Sequence, residues 1–278
     1  MESLKNKVVA VTGGSSGIGR AICLALSEAG CKIAVLSRHR ASKEGEAATD
    51  TLVKEGVWIY CDVSKPPLSS KKGGNSGSIA EAMQSVVEKY GRLDILVNNA
   101  GFIGLKDFLE LTEDDYDSVL DTNLKGSVFA TQLALKQMLF RQSPPGGQII
   151  NISSLWGLLP SLAPIYGASK AALVNFTQNI AAYFGDRIRC NCICPGYIDT
   201  NPPSPDQVGI LARQRPREDE IPIKRGGKPG ELAEVVVWVL KSSYMNGSTV
   251  LVDGGRNARV GTGLNFDDYY RVEPNKSP

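Results

Sequence analysis

Short apolar runs alternate with helical patterns along almost the whole chain, and this alternation most constrains the fold. The first run, "KVVAVTGG", is continuously apolar from Val8 to Val11 and ends in a glycine pair. Directly after it, Ile18, Ala21, Ile22, Ala25, Leu26 and Ala29 recur at helical spacing, and Gly30 supplies a stop. Six further runs follow: "KIAVLS", "VWIYCD", "DILVNNAG", "GQIINIS", "RIRCNCICPG" and "STVLVDGG". Helical patterns such as "SIAEAMQSVVEKYG" and "ELAEVVVWVLK" separate most of them. Continuous rather than alternating apolar residues suit strands covered on both faces. The chain therefore reads as α/β, a doubly wound three-layer sandwich with a seven-stranded parallel sheet and helices on both faces.

Three stretches break the pattern. Residues 64–78 are rich in Gly, Ser, Pro and Lys and read as an inserted mobile loop. Residues 201–222 carry five prolines and clustered charges, and residues 257–278 show little periodicity. No second domain or internal repeat is visible, so residues 1–256 form one domain and the rest an extension. A net charge of +2 gives no basic stripe for nucleic acid. No apolar run has the length of a membrane span, and the first residues lack the core of a secretory signal.

The six cysteines read as buried reduced thiols, which fits a cytoplasmic setting. Cys190, Cys192 and Cys194 would share one strand face, but C-x-C-x-C is not a usual zinc spacing, and no metal is expected. The single histidine, His39, sits in a loop-like "SRHR" and makes a Ser-His-Asp hydrolase implausible.

The turn "TGGSSGIG" lies between the first strand and the first helix. Gly13, Gly17 and Gly19 allow a tight turn, and the helix N-terminus beyond them offers free N–H groups to a pyrophosphate. The second strand ends at Ser37 and Arg38. Dinucleotide folds that prefer NAD place a carboxylate at this point. A cation there instead suits the 2′-phosphate of NADPH or NADP+, with NADH the less favoured cofactor.

Further motifs occur in order: "NNAG" at 98–101, Asn123 in "TNLKG", "NISS" at 151–154, Y-x-x-x-K at 166–170, "CPGYIDT" at 194–200 and "DGG" at 253–255. With the glycine turn, they make the chain resemble the short-chain dehydrogenase/reductase family over about residues 4–256. The resemblance implies a Rossmann-type domain that exchanges hydride between a nicotinamide and a carbonyl or alcohol. It implies Tyr166 as catalytic acid and base, Lys170 on the nicotinamide ribose and Asn123 on the proton relay. Gly13, Ser15, Ser16, Gly17, Ile18 and Gly19 would form the phosphate turn. Asp62 and Val63 would meet the adenine, and Asn98, Ala100 and Gly101 would line the cofactor. Pro195, Gly196, Ile198 and Thr200 would flank the nicotinamide. The family's serine commonly stands 13 residues before the tyrosine, which selects Ser153; it also stands in S-x-x-G, which selects Ser154. The local motif favours Ser154.

On a helix Tyr166 and Lys170 share a face. An ammonium about 4 Å from the phenol, at an effective dielectric near 20, is worth roughly 4 kcal/mol. That would draw a phenol from near 10 toward about 7. The expected activity is NADPH-dependent reduction of a small-molecule ketone or aldehyde; alcohol oxidation by the same residues, or a non-catalytic cofactor-sensing role, are the alternatives. Phe102, Ile103, Trp156 and Tyr197 adjoin the motifs and could line an apolar pocket. The apolar helices around "GSVFATQLALKQML" and "ASKAALVNFTQNIAAYF" suggest a homotetramer or homodimer.

Overall fold

The structure, a computed structural model, describes residues 1–40, 47–65, 77–200 and 221–259. Most of the expected loop at 64–78, the segment at 201–222 and the tail at 257–278 therefore lies outside the described residues.

The seven apolar runs form the seven strands β1 (Val8–Thr12), β2 (Lys32–Ser37), β3 (Val57–Tyr60), β4 (Ile95–Asn98), β5 (Gly147–Ile152), β6 (Ile188–Pro195) and β7 (Thr249–Val252). They build one sheet in the order β3-β2-β1-β4-β5-β6-β7, and every neighbouring pair is parallel. The expected doubly wound α/β fold is thus the observed one.

Successive strand residues divide between two cores, as the two-residue period of a strand requires. Val9, Val11, Ile33, Val35, Ile95 and Val97 pack on one face against Ile22 and Leu26 of helix α1 (Gly17–Glu28). Val8, Ala10, Ala34, Leu36 and Leu96 pack on the other, against Ile79, Ala82 and Val86 of helix α3 (Ile79–Tyr90), which follows the short α2 (Thr49–Leu52) and packs beside α5 (Gly126–Phe140). This double burial is why the runs are continuous rather than alternating. Among the described residues, no helix is long and apolar enough to cross a membrane.

The six cysteines are buried and free of disulfides. Burial pushes the thiols of Cys31, Cys61 and Cys190 up to about 12, so they stay protonated.

The strand order reverses between β1 and β4. Strands in open parallel sheets leave a crevice at their carboxyl ends where this happens, and ligands bind there. The glycine turn, "NNAG" and "NISS" all follow β1, β4 or β5 at that end.

Candidate active site

The glycine turn is built by close backbone approach. Gly13 adopts a left-handed φ of 65°. A Cβ at Gly19 would stand 2.2 Å from the Gly13 carbonyl oxygen, so only glycine fits. Asn99 secures the turn from the next strand, donating from Nδ2 to the carbonyls of Thr12 (2.9 Å) and Gly13 (3.2 Å). The Thr12 hydroxyl oxygen accepts from the N–H groups of Asn99 and Ala100, each at 3.0 Å. Ser16 makes no side-chain cap, so the first N–H groups of α1 remain for a ligand. Thr200 closes this end from the opposite side, its methyl group 3.3 Å from where a Cβ at Gly17 would lie. Ser15 is buried in the turn, whereas Ser16 is exposed and Ile18 packs partly on the core.

Asn98 differs from expectation. Its side chain is buried and donates to Thr131 Oγ1 (3.0 Å) and Asn151 Oδ1 (2.8 Å), away from the turn. Neighbours along a strand point to opposite faces. Asn99 therefore serves the turn and Asn98 ties the sheet to its helical layer. Thr12 and Asn99 were absent from the residues singled out in the sequence, although the paired asparagines carried the signal.

At the far end of the crevice Ser37 is also committed. Its hydroxyl donates to the His39 carbonyl (2.7 Å) and accepts from Trp58 Nε1 (3.1 Å). It has no proton left to offer a phosphate, which leaves the exposed Arg38 as the anion-seeking group. Arg38 and Ser64 border a pocket of 390 Å³. Asp114, Asp117 and Asp121 border it too, from helix α4 (Glu113–Leu120) and its continuation. Lys125 partly offsets this charge, 3.0 Å from Asp121. Asp62 accepts from the Ser64 hydroxyl (2.7 Å), and Val63 packs against Gly126.

The reactive centre comes from three elements. Helix α6 (Pro164–Phe184) starts on a proline, the residue best suited to a first helical position. Tyr166 and Lys170 stand one turn apart at its start. Lys170 is buried, with Nζ donating to the Ile152 carbonyl at 2.8 Å and lying 5.7 Å from the centroid of the Tyr166 ring. Beyond β5, Ser153 and Ser154 diverge. Ser153 is buried and donates to the Lys170 carbonyl (2.7 Å), so it braces the helix. Ser154 accepts the Trp156 N–H (3.1 Å) at the head of a short 3₁₀ turn, Leu155–Gly157, and its hydroxyl stands near enough to Tyr166 to oppose the rise in the phenol pKa. Gly157 makes this possible: a Cβ there would lie 2.9 Å from the Lys170 carbonyl oxygen. The S-x-x-G spacing thus reflects a turn pressed against the backbone of α6.

Asn123 sits in a π turn, Asp121–Lys125, between α4 and the helix Gly126–Phe140. Such bulges re-aim backbone groups and are frequent at functional sites. The buried side chain accepts from Phe102 N–H (3.0 Å) and donates to the Phe102 carbonyl (3.0 Å) and Ser169 Oγ (3.1 Å). A methyl group at Gly101 would stand 3.0 Å from Asn123 Oδ1 and 3.2 Å from Lys170 Nζ, so all three residues meet. Pro195, Gly196 and Ile198 run off the end of β6. Gly196 N–H bonds the Val252 carbonyl (2.9 Å), and Ile198 bridges to Gly227.

The electrostatics also depart from expectation. Burial raises the Tyr166 pKa above its usual value, and the Ser154 hydrogen bond only partly opposes this. Burial pushes the Lys170 ammonium down to about 8. The lysine does not draw the phenol toward neutrality because Nζ lies over the ring face, 5.7 Å from its centroid, and bonds a backbone carbonyl rather than the phenol oxygen. In a shared buried site, desolvation favours the neutral form of both groups.

Comparisons with known proteins agree with this geometry. The family model described as enoyl-(acyl carrier protein) reductase matches residues 13–257. A 3-oxoacyl-(acyl-carrier-protein) reductase of Thermotoga maritima is 35% identical over 256 residues, covering 91% of this chain and 98% of its own. The 2-dehydro-3-deoxy-D-gluconate 5-dehydrogenase of Escherichia coli is 34% identical, covering 92% and 98%. Among solved structures, a short-chain type dehydrogenase/reductase from Mycobacterium marinum superposes with a TM-score of 0.77 at 30% identity, covering 91% and 96%. Glycine turn, serine, tyrosine and lysine meet in one crevice, and the match runs the length of the domain: the chain belongs to the short-chain dehydrogenase/reductase family of oxidoreductases, which act on CH–OH and C=O groups with nicotinamide cofactors.

Proposed function

We propose that this protein is an NADPH-dependent carbonyl reductase that converts a small ketone or aldehyde to an alcohol. The observation that carries the reading is Tyr166, with the Lys170 ammonium over its ring and the Ser154 hydroxyl near it, at the carboxyl ends of the strands. The residues present fit a dinucleotide. The Gly13–Gly19 approach, which a Cβ would fill, and the open N-terminus of α1 would hold the pyrophosphate. Arg38 would take the 2′-phosphate, Asp62 and Val63 the adenine, Lys170 the nicotinamide ribose, and Pro195 to Thr200 the nicotinamide side. A bound nicotinamide supplies the hydride.

The chain's own residues do the rest. The Ser154 oxygen is engaged by the Trp156 N–H, so its proton can turn from the phenol to a substrate carbonyl oxygen. Tyr166 holds its proton at neutral pH and gives it to that same oxygen as negative charge develops. Asn123, clamped to Phe102 and Ser169, fixes the π turn beside Lys170. Carbonyl reduction should hold steady through neutral pH and fall as pH rises past about 8, where the Lys170 ammonium loses its proton. Alcohol oxidation, which needs a deprotonated Tyr166, should instead rise with pH. Initial rates in both directions across a buffer series check this.

Cofactor preference tests Arg38. A charge-assisted contact to a phosphate is worth about 1.5–3 kcal/mol. Arg38→Asp should therefore weaken NADPH relative to NADH by about 10- to 100-fold in fluorescence titrations. An unchanged ratio would show that the guanidinium is a solvated surface group. The acidic face of α4 opposes an anion here, so the wild-type preference should be modest.

We also propose a cytoplasmic, single-domain enzyme, supported by its free buried thiols. Homodimer or homotetramer assembly is supported by Phe140, Tyr183, Trp238 and Tyr244, which lie exposed at the ends of helices or beside them.

A further inference from the structure

We propose that the face beside Tyr166 takes carbonyl compounds whose substituent is an aryl or bulky alkyl group, and that the Trp156 indole is the surface that selects it. The inference rests on the reductase reading for turnover, but not for binding.

Trp156 is half-buried and meets Tyr166 edge-on, with ring centroids 6.1 Å apart and planes at 84°. Its own backbone N–H orients Ser154. A carbonyl oxygen held by both hydroxyls lies about 3 Å from each. The carbon substituents must then pass beside the indole. The segment joining the two residues, "LWGLLPSLA" at 155–163, carries no charged side chain. Its one hydroxyl, Ser161, is already satisfied, donating to the Ala163 carbonyl (3.0 Å) and accepting from the Ala163 N–H (2.9 Å). Leu158 and Leu162 on the same segment are 43% and 70% exposed. On the side of β6, the half-buried Tyr197 ring packs against Gly226 and adds a second aromatic surface.

Apart from the single indole N–H of Trp156, this segment offers a substrate's hydroxyl groups no uncommitted side-chain donor. A polyhydroxylated ketone would lose several water hydrogen bonds against leucine and indole with only the indole N–H to replace them, whereas an aryl group would gain contact. The fold is shared with relatives named for sugar-acid oxidation. Substrate choice is decided by the side chains of this surface, not by the fold.

The test uses propiophenone and dihydroxyacetone with wild type, Trp156→Ala and Trp156→Phe. Ketone binding is measured by saturation-transfer NMR, and kcat and KM with each nicotinamide cofactor. Propiophenone should bind the wild type at least about tenfold more tightly than dihydroxyacetone. Trp156→Ala should raise its KM and Kd about tenfold, Trp156→Phe should restore most of the loss, and kcat should change little. Equal or better binding of dihydroxyacetone to the wild type would overturn the proposal, even if the alanine variant fails to fold. So would equal losses for both ketones, or a loss confined to kcat, because Trp156 would then merely support Tyr166. Indole-dependent binding of propiophenone without turnover would uphold the selecting surface and overturn the reductase reading.

Discussion

Tyr166→Phe should lower kcat for ketone reduction by about 1,000-fold while leaving cofactor affinity and thermal stability near those of the wild type. The substitution removes one oxygen. It keeps the ring that meets Trp156 edge-on and lies beneath the Lys170 ammonium. The packing at the head of α6 is therefore preserved. What disappears is the proton donor and half of the hydroxyl pair that receives the carbonyl oxygen. A positioned acid contributes about 10²- to 10⁴-fold. Lys170 does not stand in for it, because its Nζ lies over the ring face, 5.7 Å from the centroid, and not where the phenol oxygen stands. Single-turnover kinetics with cofactor in excess, alongside a cofactor titration, separate loss of chemistry from loss of binding. A variant that keeps more than about a tenth of wild-type kcat would rule out Tyr166 as the general acid.

Gly19→Ala should reduce dinucleotide affinity by at least about 100-fold, with a stability loss of about 1–3 kcal/mol. The added methyl group would fall 2.2 Å from the Gly13 carbonyl oxygen and 2.5 Å from Asn99 Nδ2. The first of these is backbone and cannot rotate aside. Relief requires the turn to open, which would break the Asn99 bonds to Thr12 and Gly13 and move the N–H groups of α1 off their target. Gly230→Ala is the matched control: it also lies in the first turn of a helix, Pro229–Lys241, and a Cβ there meets nothing within 4 Å. It should bind normally and melt at or slightly above the wild-type temperature. Calorimetry and a fluorescence titration of the two variants measure both effects. Normal affinity in Gly19→Ala would mean that the turn does not hold the pyrophosphate.

The two predictions differ in how they could be foreseen. Tyr166 was legible because it lies in an ordered series of short motifs, and because one helical turn sets Lys170 on its face. Ser153 and Ser154 were not separable by spacing. The distance to the tyrosine chose one, and the S-x-x-G motif chose the other. The structure gives them different contacts: Ser153 donates to the Lys170 carbonyl, whereas Ser154 accepts the Trp156 N–H at the head of a turn that Gly157 lets press on α6. Asn98 and Asn99 show the same limit. A strand places neighbours on opposite faces, but only the assembled sheet shows which face holds the glycine turn.

Periodicity and motif order alone determined the parallel doubly wound sheet, the location of the crevice and the tyrosine–lysine pair, because these follow from local rules of spacing and burial. The ionisation of that pair was decided only by the tertiary structure. The i, i+4 spacing promised an ammonium beside the phenol oxygen. Packing instead set it over the ring and against a carbonyl, in a site where desolvation outweighs their attraction. Pattern specifies which side chains share a face; dielectric and distance depend on everything else packed around them.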